Sequence, residues 1–432
     1  MSKKKTNPDH VRRRTRPTAN DEVIEQQFQE LLSPAVFNQE AYYRSLGMRS
    51  RILNLPLMVA ALITLLWRQV PSVHELTRML NREDVLWCKA VKVSQQSLSE
   101  RLLVFPAILF ERVYKDLLPR LIERWNQREA RPLPPAIVQA RAHFAEILVA
   151  DGSTLEALFR KLDALQEVEV GKLAGKMCLV IDLVRQLPKE LWFCEDAMTH
   201  DTNFTQQLLN FVGCKTLLIL DLGFYDFTFF ARLIDQGCHL ITRLKANATL
   251  ETVRILTKTD HVRDTIIRLG SGQKEVPILT VRLIEVRFER TWHRYITSVL
   301  DPEVLPPCVV DDLYRRRWRI EDAFNTAKRL LGLAYLWTGS VNGIQLQIWA
   351  TWLFYAVLVD LGDAVADAMT LPFDRISLEM LFRGLYHFTQ ARHKAKASDP
   401  IAYFADTQNQ DLGVVKQIRH PIPKLDLRPY PV

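Results

Sequence analysis

The sequence predicts an α/β protein with a helical N-terminal region and a β-rich interval ahead of its last catalytic-looking helix. Three observations carry that reading. Between 53 and 122 apolar residues recur at three- and four-residue spacing, the pattern of helix faces. After Pro132, Pro134 and Pro135 the texture changes to short apolar runs separated by turns. One of these runs, Thr216-Leu217-Leu218-Ile219-Leu220, is apolar on both faces, and such a strand belongs inside a sheet covered by helices.

Taken in order, the chain opens with a basic tail over 1–20, followed by a helical region over 21–140. In that region 53–67, 73–80 and 98–122 read as helices, and Ser72 and Ser94 stand at cap positions. The segments 72–81 and 93–102 suit a helix pair of the DNA-reading kind, or a plain helical bundle. An α/β part spans 141–245. It has strands at 146–150, 177–183 and 190–194, a helix to about Val212 capped by Asp201 or Thr202, the strand 216–220, a helix over 225–236 and a strand over 239–244. Three strand-like runs, 265–269, 277–288 and 292–300, then follow without intervening helices, so 246–308 reads as a separate β insertion. A second α/β part over 309–362 holds the helix that begins near Val310, and 363–432 forms a C-terminal helical region and tail.

The chain has 432 residues and 48% hydrophobic content, enough for two to four units with a substantial core. Its formal charge of +8 is concentrated at the start, where seven cations (Lys3, Lys4, Lys5, Arg12, Arg13, Arg14, Arg16) face one anion, Asp9. A tail of that kind suits phosphate backbones, or simply solubility. The six cysteines at 88, 178, 194, 214, 238 and 308 form no C-x-x-C pair, which argues against a zinc site or disulfide scaffold and for reduced, mostly buried thiols in the cytoplasm. No secretory signal pattern stands at the N-terminus. The apolar run 53–67 is short for a bilayer, and 330–359 is interrupted by glycines and amides, so both read as core helices.

The chemistry lies in the carboxylates. Asp151 and Asp221 each end an apolar strand, where open α/β sheets place their sites. If the two strands are neighbours, the carboxylates converge, and hard cations such as Mg²⁺ are held by a few such groups. Glu321 is the best third acid. Setting Arg317 to zero on a helical wheel, Tyr314, Glu321 and Lys328 fall near about 60°, 40° and 20°, on one narrow face. Leu313, Ile320, Phe324, Ala327 and Leu331 form an adjacent apolar stripe for docking. The plain alternative is a solvated basic helix with an Arg317–Glu321 pair.

The run Y-x-x-R-x-x-x-E-x-x-x-x-x-x-K, filled by Tyr314, Arg317, Glu321 and Lys328, resembles the Y-R-E-K signature of the insertion-sequence-four family of bacterial DDE transposases. D-G-S-T at Asp151, D-L-G-F-Y at Asp221 and Arg243-Leu244-Lys245 extend the likeness over roughly 50–360, while Leu222 departs from the arginine common there. The resemblance implies an RNase H-like catalytic fold with a β insertion, an N-terminal DNA-binding region, and cut-and-paste movement of an element with inverted repeats. It also implies two Mg²⁺ ions (Mn²⁺ as substitute) on Asp151, Asp221 and Glu321, phosphate contacts from Tyr314, Arg317 and Lys328, and a homodimer on double-stranded DNA near the nucleoid. The branch it resembles forms a DNA hairpin, for which Trp292 is the candidate stacking surface and Trp318 its competitor. A non-catalytic or domesticated DNA-binding relative, and a nuclease without strand joining, are the rival readings. A glycosidase using two of the carboxylates leaves the basic signature unexplained.

Overall fold

In the computed structural model, residues 17–48, 51–155, 175–271, 276–333 and 336–415 are described. Most of the basic tail and the C-terminal tail fall outside these residues. The described residues divide into two compact units, one within 17–128, 327–369 and 376–414, the other within 129–326 and 370–375 with 415.

The first unit is helical. It contains α1 (Glu22–Phe37), α2 (Glu40–Ser45), α3 (Leu55–Trp67), α4 (Val73–Leu80), α5 (Gln95–Val104) and α6 (Ala107–Asn126). Ser72 and Ser94 cap α4 and α5 as their sequence positions suggest, each hydroxyl accepting the N–H three residues on. The single helix expected over 98–122 is instead two, because Pro106 forces Phe105 into extended backbone and ends α5. Residues 81–94 separate α4 from α5, with a small bridge between Val85 and Cys88. That connection is longer than the tight turn of a helix-turn-helix.

Later in the chain the same unit gains α12 (Val341–Ala368), α13 (Leu378–His393) and α14 (Pro400–Ala405), numbered after five further helices of the second unit. By length and composition α12 is apolar enough to cross a membrane, and 94% of its most apolar window is buried against this unit's own helices, as in a core helix. It packs on α3, α5, α6, α13 and α14. The expected division at 362/363 therefore fails, since α12 continues through that point and belongs to the helical unit rather than to the α/β part.

The second unit is built on a nine-stranded sheet ordered β3-β2-β1-β4-β5-β9-β8-β7-β6. The strands are β1 (Glu146–Thr154), β2 (Lys176–Asp182), β3 (Pro188–Cys194), β4 (Thr216–Leu220), β5 (His239–Arg243), β6 (Leu250–Lys258), β7 (Val262–Leu269), β8 (Leu279–Phe288) and β9 (Thr291–Thr297). β1, β2 and β3 are antiparallel neighbours, whereas β1, β4 and β5 run parallel. This five-strand half is compatible with an RNase H-like fold. Helices α7 (Pro135–Arg141), α8 (Thr205–Phe211), α9 (Phe227–Asp235), α10 (Pro307–Arg316) and α11 (Trp318–Asn325) complete the unit.

Alternation along β1 and β4 sends Leu148, Ala150, Leu218 and Leu220 into a core with Leu208, Phe229, Phe230 and Leu233 of α8 and α9. Ile147, Val149, Leu217 and Ile219 consequently face the other side, where α7 and α11 pack on β1 and α10 packs on β5 and β8. The β-rich interval does not stand apart. Its last strand, β9, pairs with β5, so 246–308 continues the same sheet, and β6 is a strand that the sequence reading missed. β6 is exposed along most of its length, which removes the apolar alternation that marks a strand in sequence. The expected caps Asp201 and Thr202 do not cap α8; a 3₁₀ turn over Asp201–Phe204 leads into it, and no side chain caps it. Asp226 caps α9, its carboxylate accepting from the Phe229 N–H at 2.7 Å. The cysteines are free, as expected, yet only Cys178 and Cys238 are buried.

Candidate active site

The register of β1 and β4 sets the site. Ala150 pairs with Leu220 in the last parallel pair, so Asp151 and Asp221 follow side by side on the face away from α8 and α9; Asp221 leaves β4, whereas β1, expected to end at Ala150, runs on to Thr154 against β2 and keeps Asp151 inside it. Convergence of the two carboxylates, conditional in the sequence, is realised. A third carboxylate completes a cluster: Asp151, Asp201 and Asp221 each place an oxygen within 4.8 Å of the others. Asp201 arrives from the 3₁₀ turn after β3. Sequence reasoning gave it only a capping role, because nothing local shows that this turn folds back over the ends of β1 and β4.

Asp151 is buried, and Arg317 donates to its Oδ2 at 2.7 Å while the Gly152 N–H donates to Oδ1 at 2.8 Å. Burial pushes its carboxyl up to about 7. Arg317 opposes this, whereas Asp221, Glu321 and Asp201 reinforce it by repulsion. Glu321 lies on α11, which packs on β1, and is near enough for its charge to act on both Asp151 and Arg317. It is not part of the tight cluster of three. Asp221 accepts from the Gly223 N–H. Lys176 Nζ sits 2.7 Å from Asp201 Oδ1 and donates to the Thr199 carbonyl at 2.7 Å.

Arg317 occupies a turn between α10 and α11 rather than the middle of one helix, and a π-helical turn over Thr326–Leu330 follows α11. The uninterrupted wheel therefore holds only locally, although Leu313, Ile320 and Phe324 are buried as the apolar stripe requires. The break lets Arg317 sit nearly buried against Asp151 with its Nε lacking a hydrogen-bond partner among the described residues. Tyr314 is buried against Tyr295 of β9, ring centroids 5.0 Å apart, and burial raises its hydroxyl pKa. Tyr295 in turn donates to Asp311 at 2.8 Å, pinning α10 to β9. Arg316 and Arg319, either side of the break, both reach Asp374, at 2.6 and 2.8 Å.

Lys328 lies on the π-helical turn and belongs to the helical unit. Trp318 is 48% exposed beside Arg317, whose guanidinium carbon is 5.5 Å from its ring centroid. Trp292 is partly buried near the start of β9, on the same end of the sheet as the acids because β9 runs antiparallel to β5. The Arg263 guanidinium covers its ring at 4.4 Å, so this face is engaged within the sheet.

An acid cluster with few counter-charges, buried at Asp151 and half-buried at Asp201 and Asp221, where the parallel pairing of β1 and β4 ends, defines a site of the hard-cation class. The residues fit such a group: three carboxylates converge, and burial, reinforced by the neighbouring acids against the opposing Arg317, holds Asp151 partly protonated near neutral pH. Comparison with known proteins agrees. Residues 143–357 match the family described as "Transposase DDE domain". The chain is also 26% identical over 221 residues, 47% of its length, to the protein named "Putative transposase y4zB" of Sinorhizobium fredii (strain NBRC 101917 / NGR234), and it spans 60% of that relative's length. These two likenesses support a transposase.

Proposed function

We propose that this chain is a DDE transposase of the insertion-sequence-four type, cleaving and joining DNA at the inverted-repeat ends of a mobile element by cut-and-paste through a hairpin. The observation that carries the reading is the parallel register that sets Asp151 beside Asp221. In this reading Asp151, Asp221 and Glu321 hold two Mg²⁺ ions, with Mn²⁺ as substitute. Bound there, such ions lower the pKa of an attacking water or 3′-hydroxyl and take up charge on the departing oxygen.

The chain's own residues supply the rest. Arg317, fixed in its turn, presents a planar fork to the phosphate, and its salt bridge to Asp151 keeps that carboxylate aimed along the strand end. Lys328 contributes a point charge, and Tyr314 a hydroxyl held by its packing on Tyr295. Trp292, whose ring carries Arg263 on one face, and Trp318, 48% exposed with Arg317 beside its ring, are the two candidates to receive an extruded base. The region 21–140 would bind element ends through the α4–α5 pair, the protein acting as a homodimer on DNA in the bacterial cytoplasm at the nucleoid.

The test is cleavage of a labelled duplex carrying an element end. Asp151→Asn, Asp221→Asn and Glu321→Gln are each expected to reduce cutting to background while sparing DNA binding. Full activity in Glu321→Gln would remove Glu321 from the triad, and full activity in either aspartate variant would sink the reading. Cleavage without strand-transfer products would instead favour a nuclease, and DNA binding without cleavage by the unaltered chain a non-catalytic relative.

A further inference from the structure

The proposed reaction leaves Asp201 and Lys176 without a role, yet the chain makes room for both. A Cβ built on Gly152 would fall 1.9 Å from Asp201 Oδ1, and one on Gly223 would fall 2.2 Å from Asp201 Oδ2. These glycines follow Asp151 directly and Asp221 after one residue. The two backbone segments carrying the proposed ligands therefore close on a single carboxylate, which would have to move aside if either glycine gained a side chain. Lys176 on β2 pairs with that carboxylate at 2.7 Å and is tethered to the Thr199 carbonyl, so its ammonium is fixed beside the acids.

We infer that Asp201 is a positioning residue that pairs with Lys176 and cancels its charge beside the Asp151 and Asp221 segments, keeping the site receptive to a divalent cation. The inference rests on the cation reading above. Without the Asp201 charge, the Lys176 ammonium would stand unopposed a few ångströms from the aspartates and repel an incoming ion. At an effective dielectric on the order of 20, one unit charge at that distance changes cation affinity by at least about tenfold. A carboxylate that merely filled space would behave differently, since asparagine has the same shape.

The experiment is Mn²⁺ binding to the full chain, followed by the electron paramagnetic resonance signal of free ion, so no activity enters the readout. Asp201→Asn is expected to weaken binding on the order of tenfold, and adding Lys176→Met to restore most of the loss. Asp201→Asn binding like the unaltered chain, or a double variant no better than the single one, would overturn the inference. Should Asp201→Asn fail to fold, Lys176→Met alone decides: it is expected to bind Mn²⁺ more tightly than the unaltered chain, and equal or weaker binding overturns the inference. An unaltered chain that takes up no Mn²⁺ overturns the cation reading itself, a result distinct from either failure above.

Discussion

Each unit buries acids and arginines, but it balances them differently. In the helical unit Asp360 accepts from both Arg124 and Arg128, and Arg128 also reaches Asp363, so two carboxylates meet two guanidiniums within 2.8–2.9 Å. In the sheet unit Asp151, Asp201, Asp221 and Glu321 share only Arg317 and Lys176 as ion-pair partners among the described residues. Burial first, with the repulsion of Asp221, Glu321 and Asp201 added against Arg317, drives the Asp151 carboxyl up to about 7, while the two acids beside Arg128 raise its guanidinium pKa against burial. Balanced charge holds α6 to α12. Unbalanced charge stores repulsion that a cation can relieve.

Breaking a balanced pair should cost the most, and the sheet unit holds one away from its acid cluster. Arg282 and Asp264 are both fully buried and 2.7 Å apart, and Arg282 also donates to the carbonyls of Val299, Asp301 and Leu305. Those carbonyls lie in the turn that leads into α10, so this pair positions the helix ahead of Arg317. Asp264→Asn leaves a buried guanidinium without its counter-charge and is expected to destabilise the protein by about 3–5 kcal/mol. Urea unfolding measures this, and a loss under about 1 kcal/mol would show that the charge is solvated by the carbonyls alone.

Asp360→Asn should cost less, about 2–3 kcal/mol, because Arg124 is 40% exposed and can return to water. Its cost is expected to be the same in EDTA and in Mn²⁺. A cost that depends on the ion would break the contrast between the two units.

The smallest effect tests an acid that neither scheme satisfies. Glu25 in α1 has its carboxyl raised from 4.5 to about 7, by burial first, with Arg68 opposing and Glu83 and Asp21 reinforcing. A carboxyl raised by folding contributes its stability below about pH 4.5 and loses it as pH climbs through 7. Glu25→Gln is therefore expected to unfold about a degree or two higher than the unaltered chain at pH 8 and at the same temperature at pH 4.5. Equal melting at both values would place Glu25 in water.

What was legible in sequence follows the same division. The fully apolar run 216–220 announced a central strand, and Asp151 and Asp221, each after an apolar run, could be read as a converging pair, although the continuation of β1 past Asp151 to Thr154 was not visible. The serine caps of α4 and α5 were equally local. Asp201 was not legible as a site residue, because its place beside Gly152 and Gly223 depends on how a turn packs across two strand ends. The single turn residue at Arg317 was hidden too, since the wheel assumes one helix and no proline or glycine marks the place where α10 gives way to α11. β6 escaped because an exposed edge strand has no buried face to write into its sequence.

If the sheet unit's acid excess serves to hold a cation, thermal unfolding of Asp221→Asn beside the unaltered chain will show it. In EDTA at pH 8 the substitution removes one repelling charge from Asp151 and keeps the acceptor for the Gly223 N–H, so the variant is expected to melt about one to three degrees higher. With Mn²⁺ added, the unaltered chain should gain several degrees and the variant almost none. A variant that melts lower in EDTA, or that gains as much from Mn²⁺ as the unaltered chain, would contradict the account.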